Sequence, residues 1–129
     1  MNYPEDLKYT KEHEWVRVDN GKARVGVTFY AQDQLGDVVF VELPEVGTEI
    51  RAGAMFATVE SVKAVSDVYA PVSGTIVEVN EALNDSPELV NEDPYNEGWM
   101  VVIELSDPSE LDNLMDSTAY QKMVEEGGE

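Results

Sequence analysis

The sequence predicts a mostly-β protein, a sandwich or flattened barrel with short helices, including helices at its C-terminal end. Three observations carry this expectation. An Asn-Gly pair joins two alternating runs in EWVRVDNGKARVGV. Short stretches rich in β-branched and aromatic residues then recur between turn-forming residues, as in a layered antiparallel fold. Only after Asp107-Pro108-Ser109-Glu110 does the apolar spacing change to a helical one, with Leu111, Leu114 and Met115 on one face.

In order along the chain, Glu14 to Val27 reads as a hairpin. Asn20-Gly21 supplies the positive φ angles of a two-residue turn, and Ala23, Val25 and Val27 share one face opposite Lys22 and Arg24. Phe29 to Leu35 allows one or two helical turns ended by Gly36. Asp37 to Leu43, DVVFVEL, reads as a strand closed by Pro44, and PEVG as the following turn. AMFATVES, KAVSDVYA and GTIVEVN are three further strand-like stretches, separated by ESVKA and by Pro71-Val72-Ser73-Gly74. Residues 81 to 98 crowd Asn, Asp, Pro and Glu without periodicity and are expected to form a long loop. Trp99 to Leu105 is a last strand. Asp107 is the expected N-cap, Pro108 the first-turn proline and Glu110 the capping-box acid of a helix. A second short helix is expected from Ser117 to Gly127-Gly128. VFVELPEVGTEIRAG and TIVEVNEALNDSPEL repeat the order strand, turn, acidic loop, as a quasi-symmetric sandwich would.

The 129 residues are expected to form one domain, with a C-terminal helical extension over about 107–127, and 43% hydrophobic residues suffice for one core. The chain carries 27 acidic and 8 basic side chains, a net charge of −19. Such a surface argues against nucleic acid or an anionic membrane as partner and favours a partner with a basic docking surface. With no cysteine there is no disulfide framework, thiolate nucleophile or cysteine metal site, and the single His13 excludes a histidine cluster. His13 is expected to serve packing or a structural hydrogen bond beside Trp15. Trp99 is expected to be core aromatic mass with its N–H bonded to a polar group. Asn91-Glu92-Asp93 and Glu97-Gly98 do not have the ligand spacing of an EF-hand and read as solvated acids. MNYPEDLKYT has neither the basic and apolar segments of a secretory signal nor the arginines of an organellar one. The expectation is a cytoplasmic protein without a membrane span, or a mature form whose presequence is absent.

Lys63 stands nearly alone. From Val25 to Gln121 the only bases are Arg51 and Lys63. In ESVKAVSD it falls between a strand ending at Ser61 and one resuming near Val65, at or beside a hairpin tip. An ε-amine held there is reachable by an enzyme and suits covalent attachment, although spacing alone leaves an ordinary surface lysine open.

ESVKA followed by SD, then APVSG and VEVN, resembles the attachment segment of the glycine cleavage H-protein family, whose carriers bear lipoic acid on a lysine. YTKEHEWV, VGVTFYAQDQLGDVVFVELPEVG and LVNEDPYNEGWM resemble its other signatures, in order, so that the likeness runs from about Tyr9 to about Tyr120. Biotin carriers place their lysine in AMKM, and lipoyl domains of the 2-oxo-acid dehydrogenases usually show TDKA without HEW or GWM. The resemblance implies a lipoyl/biotinyl-domain-like hybrid β-sandwich. It further implies one (R)-lipoate bound covalently to Lys63, with Glu60, Ser61, Val62 and Ala64 recognised by the lipoate-attaching enzyme. Glu14 and Asp67 match acidic positions that line a cleft receiving the loaded arm, where a carboxylate could pair with an ammonium. Glu12 departs from the smaller hydroxylic residue frequent at its position.

The implied function is a non-catalytic, monomeric shuttle. It carries the aminomethyl group from glycine decarboxylase (the P-protein) to the aminomethyltransferase (the T-protein) and presents its arm to dihydrolipoyl dehydrogenase (the L-protein). A lipoate relay to other proteins and an unmodified acidic adaptor are the alternatives. A hydrolase using Lys63 as base for Ser61 or Ser66 would need a desolvated lysine, which an acidic hairpin tip opposes.

Overall fold

The structure, a computed structural model, describes residues 3–127. Two antiparallel sheets and short helices make up these residues. The first elements are β1 (Lys8–Tyr9), β2 (Glu14–Asp19), β3 (Lys22–Val27), α1 (Phe29–Leu35), β4 (Val38–Glu42) and β5 (Glu49–Ile50). Then come β6 (Met55–Ser61), β7 (Val65–Tyr69), β8 (Gly74–Val79), α2 (Ala82–Asp85), α3 (Leu89–Glu92) and β9 (Val101–Leu105). A 3-10 helix (Pro108–Asn113) and α4 (Ser117–Glu125) follow. Six strands form one sheet in the order β1-β2-β3-β9-β8-β5, and three form the other in the order β4-β6-β7. The fold is therefore a flattened sandwich rather than a closed barrel.

The β2–β3 hairpin turns where the sequence places it. Asp19 pairs with Lys22, and Asn20 and Gly21 take φ of 51° and 77°. Ala23, Val25 and Val27 face the core, where Val16, Ile76 and Ile103 of the large sheet meet Val41, Val59 and Val68 of the small one. Burying these aliphatic side chains is the main term holding the sheets together, at about 1.5–3 kcal/mol for each large side chain fully removed from water. A second cluster joins Tyr3, Leu7, Tyr9 and Trp15 to Tyr120 of α4. The Tyr9 and Tyr120 rings stack with centroids 4.7 Å apart and planes 10° apart.

Several expectations need correction. Residues 81 to 98 are not all loop, because α2 and α3 lie there. Each has four residues and turns inward a single buried side chain, Leu83 or Val90, too few for a helical period to be seen. Asparagines hold the segment in place. Asn80 donates through its Nδ2 to the carbonyls of Glu97 and Trp99. Asn91 donates to Gln32 Oε1 and to the Gly36 carbonyl while its Oδ1 accepts from the Val38 N–H. Asn91 is thus a structural clamp rather than part of a solvated acidic run.

The expected capping box is only half made. Asp107 accepts from the Ser109 N–H at 3.1 Å, but Glu110 instead takes the Ser73 N–H at 2.6 Å and the Ser73 hydroxyl at 2.8 Å. The segment is a 3-10 helix: the Glu110 carboxylate bonds across to the turn before β8 instead of back to its own N-cap. Trp99 lies before the last strand, half-buried and packed against the second cluster, with the Arg24 guanidinium 4.9 Å from its ring centroid. The resembling segments diverge after their strands, the first continuing into β5 and the second into α2. The last helix starts at Ser117 as expected and ends at Glu125, while Gly128 lies outside the described residues.

Candidate functional site

Strands β6 and β7 form a hairpin closed by Val62, Lys63 and Ala64. Ser61 holds its tip. The Ser61 N–H donates to the Ala64 carbonyl at 2.8 Å, and the Ser61 Oγ accepts from the N–H groups of Lys63 and Ala64 at 3.3 and 3.1 Å. The Val62 N–H donates to the Asp37 carbonyl at 3.1 Å, which ties the tip to the start of β4. Ser61 is buried, whereas Val62, Lys63 and Ala64 are exposed. The result is a rigid platform with a free amine on top. The Lys63 methylenes lie against Gly36 at the end of α1: a Cβ built on Gly36 would sit 3.4 Å from Lys63 Cε. The Ser61 hydroxyl is consumed by the turn it closes, so the Ser-Lys hydrolase arrangement has no free nucleophile at this position.

A cleft of about 340 Å³ lies between α1, the start of β2 and the β6–β7 hairpin. Val27, Leu35, Val59 and Val68 give it an apolar lining, and Glu12, His13, Glu14 and Asp67 give it polar groups. Glu14 and Asp67, singled out from the sequence, are therefore brought to one cavity. They differ in state. Asp67 is exposed at the rim, but Glu14 is only 2% exposed and is not a solvated strand-edge carboxylate.

A local turn buries Glu14. The Thr10 hydroxyl donates to Glu14 Oε1 at 2.6 Å while accepting the Glu14 N–H at 3.0 Å. The second carboxyl oxygen accepts the Tyr69 N–H at 3.2 Å from the hairpin. Desolvation raises the Glu14 pKa from 4.5 to about 7; the bonds from Thr10 and Tyr69 oppose the rise, and Glu12 adds to it. A carboxyl near neutrality in an apolar cleft can hold a proton or, ionised, receive a cation.

His13 closes the same turn with φ of 74°. Its Nδ1 lies 2.8 Å from the Tyr120 hydroxyl and its ring lies 4.7 Å from that of Tyr30. The hydrogen bond expected for it exists, but toward α4 rather than beside Trp15, whose Nε1–H donates to the Pro94 carbonyl at 2.8 Å. Sequence reasoning did not single out Tyr30, Ala31, Gln34 and Leu35 of α1 as cleft residues, nor Thr10 as the partner of Glu14. The helical reading of Phe29–Leu35 was the available signal. Which of its faces would meet a hairpin distant in sequence was not written in it.

A larger depression of about 740 Å³ lies along the β5–β8 edge among Glu49, Arg51, Ser73 and Asp107. Lys63 is not part of it, and Glu110 on its wall is already bonded to Ser73. Among the described residues no group of three or more His, Cys, Asp or Glu side chains is arranged to hold a metal ion, and no helix is long and apolar enough to cross a membrane.

The family model described as glycine cleavage H-protein matches residues 7–127. The glycine cleavage system H protein of Geobacillus thermodenitrificans is 64% identical over 127 residues, which cover 98% of this chain and 100% of that one. That of Bacillus subtilis is 59% identical over 98% of this chain and 99% of its own. The crystal structure of a glycine cleavage system H protein from Mycobacterium marinum superposes with a TM-score of 0.89 at 40% identity, covering 95% of this chain and 99% of that one. With a full-length match in sequence and in fold, this chain belongs to the glycine cleavage H-protein family.

Proposed function

We propose that Lys63 bears a covalently attached lipoyl group and that the chain is the lipoyl-bearing shuttle of the glycine cleavage system. It carries the aminomethyl group from the P-protein to the T-protein and presents its arm to the L-protein. One observation carries the reading: the exposed Lys63 amine stands on a hairpin tip pinned by Ser61, and its methylenes lean over Gly36 toward α1, which walls a cleft containing Glu14.

The residues present fit such a group. An exposed ε-amine is open to amide formation, and the cleft is apolar along Val27, Leu35, Val59 and Val68 with carboxyls at its polar side. When bound, the lipoyl group supplies thiol–disulfide chemistry, which this cysteine-free chain has no side chain to perform. The chain's own residues position and protect. Ser61 fixes the direction in which Lys63 leaves the surface, and Glu60, Val62 and Ala64 flank the amine where an attaching enzyme reads it. The aliphatic walls of the cleft exclude water. Glu14, ionised, and Asp67 offer carboxylate oxygens to an ammonium lying in the cleft. On this reading the protein is a non-catalytic, cytoplasmic monomer, one carrier domain whose helical extension over about 107–127 closes against the N-terminal segment.

Intact mass of the protein from its own host, with a peptide map over residues 52–80, tests the reading. The expected result is one lipoyl amide per chain, confined to Lys63 and lost in Lys63→Arg together with all shuttle activity. An unmodified Lys63 beside a lipoylated control protein overturns it in favour of an unmodified acidic adaptor. Docking activity surviving in Lys63→Arg would point the same way, since arginine keeps the charge but cannot be acylated in its place.

A further inference from the structure

On the small sheet, β4 carries a feature that neither the attachment site nor the cleft uses. Val38 pairs with Ser61 and Phe40 with Glu60, so that an extra residue, Val39, is inserted between them as a β-bulge. In a regular strand Val39 and Phe40 would point to opposite faces. The bulge breaks that alternation. Val38 and Val41 remain buried, while Val39 and Phe40 are both 51% exposed on the outside of the sheet.

The cross-strand register places them beside the attachment lysine. Phe40, Glu60 and Val65 form one outward row across β4, β6 and β7, and the hairpin tip with Val62 lies at its end. Val62 is 70% and Val65 65% exposed. Four of the seven large hydrophobic residues most exposed among the described ones, Val39, Phe40, Val62 and Val65, thus gather around Lys63. A bulge that disrupts ladder bonding in order to turn two apolar side chains outward beside a functional group is the arrangement expected of a recognition surface.

We propose that this patch, Val39 and Phe40 with Val62 and Val65 around the Glu60 carboxylate, is the docking surface for the enzyme that acylates Lys63. The proposal rests on the attachment reading above and extends recognition from the linear segment at 60–64 to a second strand. Geometry selects this occupant. Lys63 Nζ must reach the acyl carbon inside the attaching enzyme, so the surface immediately around the lysine is necessarily covered during that reaction. A partner that acts on the far end of a lipoyl arm is under no such geometric requirement. Charge gives the partner its chemistry: Asp37 just before β4, Glu42 at its end and Glu60 on β6 border the patch, so the complementary surface is an apolar pocket rimmed by lysine or arginine.

The test is steady-state lipoylation of the full-length chain by a purified lipoate ligase with ATP and lipoate, followed by intact mass. Phe40→Ser and Val39→Ser are compared with the wild type and with Val46→Ser, a change at another exposed valine, in the Pro44–Gly47 turn. The expected result is a KM raised about tenfold or more by Phe40→Ser, the effect of losing an interface anchor, with kcat kept and Val46→Ser unchanged. Matching circular dichroism and unfolding midpoints establish that the variants are folded. Wild-type kcat/KM in both β4 variants would overturn the docking surface while leaving Lys63 as the attachment site. Failure of the ligase to modify the wild type would overturn the attachment reading itself, and the docking surface with it.

Discussion

Glu14 shows how one residue acquires its properties from a handful of others. As a lone carboxyl in HEW it carries no sign of being buried, yet Thr10 and Tyr69 both donate to it inside an apolar cleft. Its raised pKa makes a directional prediction. Below about pH 4.5 the folded and unfolded chains both hold the proton, and the contribution to stability is fully present. As pH rises from about 4.5 to about 7 the unfolded chain releases the proton while the folded chain keeps it, so stability falls and the contribution is lost above about 7. Urea unfolding at pH 4 and pH 8 is expected to show wild type losing on the order of 3 kcal/mol relative to Glu14→Gln across that range. Equal pH profiles for the two proteins would mean that the carboxyl is not desolvated. Lys63 is the opposite case at this scale. Its isolation among acids and its place between two strand-like runs were visible in the sequence, but Ser61 as the residue that closes the tip required the folded turn.

The elements divide in the same way. The β2–β3 hairpin follows from residues adjacent in sequence, since Asn20 and Gly21 accept the required backbone angles and the alternation assigns the faces. The 3-10 helix does not, because Glu110 finds a better partner in Ser73, 37 residues away, than in its own N-cap. Helix α4 is similarly dependent on distant residues. It begins at the Asp116 cap, which accepts the Ala119 N–H at 2.8 Å, but it is docked by Tyr120. The Tyr120 hydroxyl lies 2.7 Å from Thr28 Oγ1 and 2.8 Å from His13 Nδ1. Tyr120→Phe keeps the ring stacked on Tyr9 and removes only those bonds. The expected loss is about 1–2 kcal/mol of unfolding free energy, with more rapid amide exchange in α4, measured by denaturant titration and hydrogen exchange. No loss would mean that ring packing alone holds the helix.

For the whole molecule, charge is the property that composition alone establishes. Of the net −19, residues 78–129 contribute −14, with one base against 15 acids. A surface so one-sided steers partners with basic faces and has its reach cut by salt, the screening length falling from about 10 Å at 0.1 M to about 3 Å at 1 M. The KM for lipoylation of the chain is accordingly expected to rise severalfold between low and high salt with kcat nearly constant. A salt-independent KM would show that contacts at the patch act without electrostatic guidance. The same charge opposes self-association, in keeping with a carrier that visits several enzymes in turn.

By itself the sequence determined the mostly-β class, the hairpins, the exposed position of Lys63 and the acidic surface. All of these follow from nearest-neighbour chemistry or from totals: turn residues with the right φ, alternation with a period of two, and a count of charges. The cleft, the burial and proton affinity of Glu14, the clamp made by Asn91 and the outward pair Val39–Phe40 were decided by tertiary structure. Each depends on which distant strand or helix lies alongside, and a burial energy or a bulge in register exists only once that partner is in place.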